Sequence, residues 1–306
     1  MIFPGIGVGD SSASSLSATS NWIIRDGIGK IASISFAYYQ GSQIDADCKR
    51  YRLLADFVND LALTLNIISE VLPSPLRPYV YLVTSCCWAI VGVAGGCSRT
   101  VMTIHQARSD NASDVQAKDQ SQETLVGLLG LVLSYFLIQL VSSSLLCSTA
   151  TFAIFTTLHI LCNWIAVRSL NMDVFNITRM RFLIAHYIET GEILSVEALN
   201  RKEPVIFNHY GACKIFVGKK YSADSKIIFE NDSGLVTRKR NALFVHLFEN
   251  YQSEDFFGLI AATIYEERNI QPTPLIIETL KEKVEQVYNI KRNHFAPSRH
   301  RVAKTE

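Results

Sequence analysis

The sequence is poor in charged residues for its length. Of its 306 residues, 19% are Asp, Glu, Lys or Arg and 48% are hydrophobic, whereas globular proteins average about 25% charged residues. The net charge of +1 excludes broad electrostatic attraction to nucleic acid, which needs an excess of Lys and Arg. The hydrophobic content excludes a wholly disordered chain. The composition and net charge do not identify a chemical reaction.

The shortage of charge is uneven along the chain. Residues 1–203 hold 30 of the charged residues, and the much shorter segment 204–306 holds 27. The composition therefore predicts that the first two thirds of the chain are kept partly out of water. The last third has the composition of an ordinary soluble domain.

The cysteines lack the spacing of a metal site. There are seven, an odd number, and no two are separated by two residues. This argues against a zinc site and against a disulfide framework. We predict no metal site, and we expect the cysteines in apolar runs to act as small hydrophobic residues.

One long segment has no Asp, Glu, Lys or Arg at all, the 44 residues between Glu123 and Arg168. Leu125–Val141 would span about 26 Å as a helix, close to the ~30 Å hydrocarbon core of a bilayer. We predict a membrane hairpin at 125–167 and a further span at the uncharged run 78–98. The alternative is a large buried helical core, since a helix that is apolar all round can also lie inside protein. Basic residues flank the hairpin at both ends, which predicts that both flanks lie on the cytosolic side or its organelle equivalent.

A polar segment, residues 99–124, lies between these apolar runs. It supplies the main candidates for ligand or partner contacts: Arg99, His105, Arg108, Asn111, Asp114, Lys118, Asp119 and Glu123. Such residues could recognise an anion or a polar ligand at a membrane face. A buried Lys118 could form a Schiff base if its pKa were lowered. The alternative is a salt-bridge network that orders a loop between helices.

An amphipathic helix is predicted from Asp45 to Ile68, because apolar residues recur there every three or four positions. Beside its apolar stripe lie secondary candidates, Arg52, Asp56 and Asp60. Carboxylates one turn apart could bind a cation or take part in acid–base chemistry. The alternative is a solvated helix face or a contact with a basic helix.

The segment 200–292 is predicted to be a small α+β domain. Short runs such as Val205–Phe207, Cys213–Val217, Lys226–Phe229 and Leu243–Leu247 are typical of strands, and helices are expected from Ser253 and from Thr273. We expect His209, His246 and Arg238–Arg240 at the surface or in turns. The basic tail 293–306 is expected to be disordered. The predicted fold class is thus mainly α, with a helical, membrane-embedded part over 1–190 followed by the α+β domain.

The polar segment and its surroundings resemble a known family. VGVAGGCSRTVMTIHQARSDNASDVQAKDQSQETLVGLLG (91–130) is similar to the signature of the Root UVB Sensitive family, and so are residues 5–45 and 49–63. The family's usual N-terminal segment is not found here, so the chain is expected to be an N-terminally short member. The resemblance implies a link to UV-B responses, auxin transport and vitamin B6 homeostasis, known for plant members, some of which act in plastids.

The resemblance carries over no catalytic residues. We therefore expect an integral membrane protein with a regulatory or interaction role rather than an enzyme. Its expected partners are the lipid membrane and another protein, such as a second family member in a homo- or hetero-oligomer, without nucleic acid. No cofactor is expected under this hypothesis. One alternative is a binder or enzyme for a phosphorylated vitamin B6 vitamer, and another is a transporter component.

Overall fold

The computed structural model describes residues 15–108, 110–141, 144–206, 214–217, 226–231, 234–239, 242–248, 253–288, 290 and 301–302. The helices of the first part are α1 (Ser15–Ala46), α2 (Cys48–Val71), α3 (Arg77–Gln106), α4 (Ala112–Val141) and α5 (Leu145–Ser169). They are followed by α6 (Ile177–Thr190), α7 (Val196–Lys202), β1 (Lys214–Val217), β2 (Lys226–Asn231), β3 (Gly234–Lys239), β4 (Ala242–Phe248), α8 (Ser253–Glu267), α9 (Pro274–Glu285) and β5 (Arg301–Val302).

These elements form two compact units. The helical unit contains the described residues up to 41 and residues 48–167, and the α+β unit contains residues 42–47 and those from 168 onward. The predicted fold class, a helical N-terminal part followed by a small α+β part, is confirmed.

The helix predicted from Asp45 to Ile68 is wrong at its start. Asp45 belongs to the last turn of α1, and α2 begins only at Cys48. Asp47 lies in the turn between the two helices, where its N–H donates to the Gln43 carbonyl at 2.9 Å. The apolar periodicity continues across this turn, so the sequence pattern alone does not reveal the break.

Helices α2 and α3 pack against each other through small residues. Buried positions include Ala55 and Ala62 on α2 and Thr84, Ala94 and Ser98 on α3. A Cβ added to Gly95 would lie 3.6 Å from the Cβ of Ala55. Small side chains at both faces let two helix backbones approach closely, which is common between membrane helices.

The burial pattern of α2 is the reverse of that in a water-soluble helix. The carboxylates Asp56 and Asp60 are buried, whereas Phe57, Leu61 and Val71 are exposed. The apolar stripe predicted for this helix is therefore only partly inside the unit, since Tyr51 is buried whereas Leu61 and Ile68 are exposed. Large apolar surfaces left outside a fold mark contact with a membrane or another protein.

Helices α4 and α5 carry the predicted apolar hairpin. Together with α3 they are the three helices, among the described residues, that are long and apolar enough to cross a membrane. Every residue of α4 is described, and none of them is buried. The polar segment is itself mostly helical, since 99–106 end α3 and 112–124 begin α4.

The α+β unit is built on a mixed sheet. Its strand order is β1-β4-β3-β2, and β5 also pairs with β4. Strand β3 runs antiparallel to both β2 and β4, with Val236 opposite Val245. Both of these valines are fully buried and belong to the core that α6, α8 and α9 complete.

A polar cluster lies inside this unit. The Arg179 side chain is 1% exposed, and its Nε donates to Glu203 Oε1 at 3.0 Å. Asn176 caps the start of α6 by accepting from the Arg179 N–H, and its amide also donates to Glu203 Oε1 at 2.8 Å. Buried polar groups need such partners, because an unpaired buried charge is costly.

Several details of the predicted α+β domain need correction. Residues 205–206 form no strand, and β3 had not been predicted. His246 is buried, with Nε2 2.9 Å from the Thr237 hydroxyl, and is not a surface residue. Arg238 is part of β3 and pairs with Glu266 at 3.2 Å. His209, Arg240 and the tail 293–306 lie outside the described residues, apart from the two residues of β5.

Candidate functional site

Arg99 joins α3 to α4 at the start of the predicted hairpin. Its Nε donates to Asp119 Oδ2 at 2.8 Å, and its Nη1 lies 2.7 Å from Glu123 Oε2. Asp119 and Glu123 are four residues apart, so they lie on one face of α4. Because both carboxylates engage the guanidinium, the arrangement is that of a clamp between two helices.

The other predicted residues of the polar segment do not join this clamp. Lys118 pairs with Asp114 at 2.8 Å within α4, and the Lys118 side chain is 71% exposed. His105 lies half-buried at the end of α3, while Arg108 and Asn111 are exposed in the connection to α4. The eight candidates thus include one interhelical clamp and one surface ion pair, and the other three lie at the end of α3 and in its connection to α4.

The secondary candidates form a second cluster, on α2. Arg52 Nη2 lies 3.6 Å from Asp56 Oδ1, one turn away. Asp60 follows one turn later, and its Oδ1 accepts a hydrogen bond from the Asn59 amide at 3.2 Å. Both carboxylates are buried, so the alternative of a solvated helix face is wrong for them.

His159 completes this cluster from α5. Its Nδ1 lies 2.9 Å from Asp60 Oδ2, which ties the middle of α5 to α2. Our candidate set did not include His159. The sequence does contain a signal for His159. The titratable side chains of the uncharged run 124–167 are Tyr135, Cys147, His159 and Cys162, and ionisable residues in apolar spans usually have a function.

Asp56 is the least satisfied member of the cluster. Its Oδ2 is buried and has no hydrogen-bond partner among the described residues. Burial raises the pKa of Asp56 above its ordinary value, and the nearby charges of Arg52 and His159 oppose that shift. A buried carboxyl with a free oxygen is able to hold a proton or to accept a further donor.

The part of the chain that the structure describes contains no cluster of three or more His, Cys, Asp or Glu side chains suited to a metal ion. The six cysteines in that part are free thiols, three of them exposed.

Comparison with known proteins decides the family. A sequence model described as "Vitamin B6 photo-protection and homoeostasis domain" matches residues 1–191, which is more than half of the chain. The chain belongs to this family. The resemblance of the polar segment to the Root UVB Sensitive signature is thereby confirmed.

Named relatives of this vitamin B6 photo-protection and homoeostasis family include two at more than 30% identity. "RUS family member 1" of Dictyostelium discoideum is 38% identical over 68% of this chain and 40% of its own length. "Protein root UVB sensitive 3" of Arabidopsis thaliana is 35% identical over 67% of this chain and 46% of its own length. "Protein root UVB sensitive 2, chloroplastic", also of Arabidopsis thaliana, is 25% identical over 61% of this chain.

The aligned segment spans less than half the length of these curated relatives. No solved structure matches the chain significantly. The family is therefore established by sequence similarity and not by similarity to a solved structure.

Proposed function

We propose that this chain is an integral membrane protein with a regulatory or interaction role in vitamin B6 homoeostasis. The family description supports the connection with vitamin B6. The observation that carries the membrane role is α4, a helix of 30 residues without a single buried residue. The described part of the chain buries no residue of the apolar half of this helix, which supports lipid as its surroundings.

The free energy of solvation supports this assignment. Leu131 is 71% exposed and Leu140 is 75% exposed, and their neighbours along α4 are similar. Removing a leucine side chain from water gains roughly 2 kcal/mol. A helix with this many uncovered leucines and valines is much more stable in hydrocarbon than in water.

The clamp suits a protein that assembles in a membrane. Arg99, Asp119 and Glu123 lie just before the apolar part of α4, where α3 and α4 would leave the bilayer. Long basic and acidic side chains are favoured at that depth because their charged ends can reach water. We assign the three residues a scaffold role, and we assign the exposed part of the segment, Arg108 to Lys118, to contact with a protein partner.

The proposed partners are the lipid bilayer and a second member of the same family. The exposed ion pair of Lys118 with Asp114 and the exposed Arg108 supply charges of both signs at one membrane face. Complementary charges give specificity between partners. Co-purification of tagged and untagged family members from a membrane extract tests this part of the proposal, and a Lys118→Glu change should weaken the association.

A vitamer-binding role has less support from the geometry. Lysines that form Schiff bases are usually desolvated in an apolar pocket, whereas the Lys118 side chain is 71% exposed and pairs with Asp114. A titration of the purified protein with pyridoxal phosphate tests this alternative. Binding that is lost in Lys118→Ala, with the fold unchanged, would support a vitamer site and contradict our assignment.

A transporter component is the second candidate function. The observation that favours it is the Asp60–His159 pair between α2 and α5, because ionisable residues among membrane helices often line a substrate path. Uptake of pyridoxal and pyridoxine into vesicles reconstituted with the protein would support it. The absence of uptake for both would favour the interaction role.

Alkaline carbonate extraction tests the primary proposal. A tagged chain should stay in the membrane pellet, as an integral protein does. Release to the supernatant would mean that α4 and α5 are covered by protein and would overturn the membrane assignment.

A further inference from the structure

We propose that Asp56, Asp60 and His159 form a site that binds one proton inside the helical unit. The proposal rests on contacts between α2 and α5 rather than on the presence of lipid. It therefore goes beyond the proposed membrane role and can fail independently of it.

The side chains of Asp56, Asp60 and His159 form a polar cluster in which both carboxylates are buried. Asp56 is 7% exposed, and its Oδ2 has no hydrogen-bond partner among the described residues. One turn along α2, Asp60 is also buried, and its Oδ2 lies 2.9 Å from His159 Nδ1. The imidazole thus faces one buried carboxylate, and the second carboxylate, one turn away on α2, has an oxygen without a hydrogen-bond partner among the described residues.

The charge balance of Asp56, Asp60, Arg52 and His159 requires one bound proton for neutrality. Asp56 and Asp60 carry two negative charges when ionised, and Arg52, 3.6 Å from Asp56, supplies one positive charge. With a neutral imidazole, the cluster keeps one uncompensated negative charge in a buried place. Because such a charge is costly, a single proton, on either His159 or a carboxyl group, brings the cluster to neutrality.

The proton can occupy two positions without changing the net charge. In one, it sits on the imidazole, which is then a cation beside the Asp60 carboxylate. In the other, it is bound to Asp56 Oδ2 as an O–H group, and the imidazole is neutral.

The charged groups that act on Asp56 are Arg52, His159 and Asp60. Over residues 78–98, the α3 helix has no Asp, Glu, Lys, Arg or His. Near the two ends of α3, Arg77 donates to backbone carbonyls and Arg99 binds α4. The other titratable or charged residues of the neighbouring helices are Arg25, Asp26, Lys30, Tyr38, Tyr39 and Asp45 of α1, Cys48, Lys49, Arg50, Tyr51 and Glu70 of α2, Tyr79, Tyr81, Cys86, Cys87, Cys97 and His105 of α3, and Cys147, Cys162 and Arg168 of α5. Of these, Arg25 donates to Ser85 Oγ at 2.8 Å.

Infrared difference spectroscopy of the purified 306-residue chain tests the proposal. Spectra are recorded across a pH titration, and the C=O stretch of a protonated carboxyl group is followed. Exposed carboxylates become protonated at about pH 4. We expect a carboxyl band that appears at a clearly higher pH, is lost in Asp56→Asn and persists in Asp114→Asn, the matched control at the exposed ion pair.

His159→Gln separates a proton site from a lone buried acid. The change removes the positive charge that opposes protonation of Asp56, so the carboxyl band should move to higher pH. A band that is unchanged by His159→Gln, or one that is absent above the range of exposed carboxylates, would overturn the proposal. So would a band that appears in choline chloride but vanishes in sodium chloride, since the ligand would then be a sodium ion.

If Asp56→Asn fails to fold, Arg52→Gln provides a second test. Arg52 also opposes protonation of Asp56, and its side chain is partly exposed, so its loss should be tolerated. The carboxyl band should again move to higher pH. A band that stays in place in Arg52→Gln would contradict the charge balance proposed here.

Discussion

His159 Nδ1 lies 2.9 Å from Asp60 Oδ2 and so connects the middle of α5 to α2. The Asp60 side chain is buried, whereas the His159 side chain is 41% exposed. Removal of the imidazole would leave the carboxylate buried without its interhelical partner. The contact is therefore a structural tie as well as part of the proposed proton site.

We predict that His159→Ala lowers the stability of the helical unit. An unpaired buried acceptor costs about 1–3 kcal/mol, so the Tm in detergent should fall by several degrees. His186→Ala, at a half-buried histidine of α6, is the matched control and should have a smaller effect. An equal fall in both variants would show that the Asp60 contact does not stabilise the fold.

Loss of the Arg99 clamp should separate α3 from α4. Arg99→Ala leaves Asp119 and Glu123 facing each other without a cation, so we expect lower yields of folded protein and a lower Tm. Arg99→Lys should recover part of the loss, because a lysine keeps the charge but not the forked geometry.

Lys118→Ala is the control for the clamp. It removes the exposed ion pair between Lys118 and Asp114 within α4. Exposed ion pairs contribute only about 0–1 kcal/mol to the free energy of unfolding. If Lys118→Ala were as damaging as Arg99→Ala, charge in general rather than the clamp would stabilise this region.

In the α+β unit, Arg179→Ala should be among the most destabilising single changes. It would leave Glu203 buried without its cation, and breaking a buried pair costs about 3–5 kcal/mol. Chemical denaturation followed by circular dichroism measures the change. Arg201→Ala, which removes an exposed pair with Glu197 at 2.6 Å, should shift the midpoint little, and a large shift there would contradict the role of burial.

Alkaline pH should destabilise the α+β unit through Tyr265. Burial, with a smaller contribution from Tyr187, raises the pKa of Tyr265 from 10 to about 12. The neutral phenol is thus favoured in the folded state, and its contribution to stability is complete below pH 10 and is lost as the pH rises toward about 12. Tyr265→Phe should flatten the decline of stability in this window, as measured by denaturation at each pH. An unchanged slope would contradict the assignment.

Much of the helical architecture could be predicted from composition alone. The run without charge between Glu123 and Arg168 predicted two apolar helices, and α4 and α5 occupy it. The spacing of Asp119 and Glu123 placed them on one face of a helix. Their partner Arg99 lies on another helix, and no periodicity within one segment reveals which residues of two helices meet.

Other features depended on contacts that a local pattern cannot contain. The apolar stripe of α2 suggested its buried face, yet both carboxylates and several small residues of this helix are buried, while Leu61 and Ile68 of the stripe are exposed. His246 looked like a surface residue because histidines are often exposed, but Thr237 on the neighbouring strand supplies a partner 2.9 Å away. Strand β3 was not predicted because its last two residues, Arg238 and Lys239, are basic. Glu266 on α8 pairs with Arg238 and so compensates its charge within the strand.

The most direct test of the membrane assignment is the environment of α4 itself. A spin label is attached to a single cysteine at Leu133, which is exposed in the apolar half, or at Gln116, which is exposed in the polar half, in the protein reconstituted into bilayers. The measurement compares collisions of the label with oxygen, which dissolves in lipid, and with a water-soluble nickel complex. The account predicts that the label at 133 collides mainly with oxygen and the label at 116 mainly with nickel. Strong nickel collisions at 133 would place α4 in water and would contradict the account.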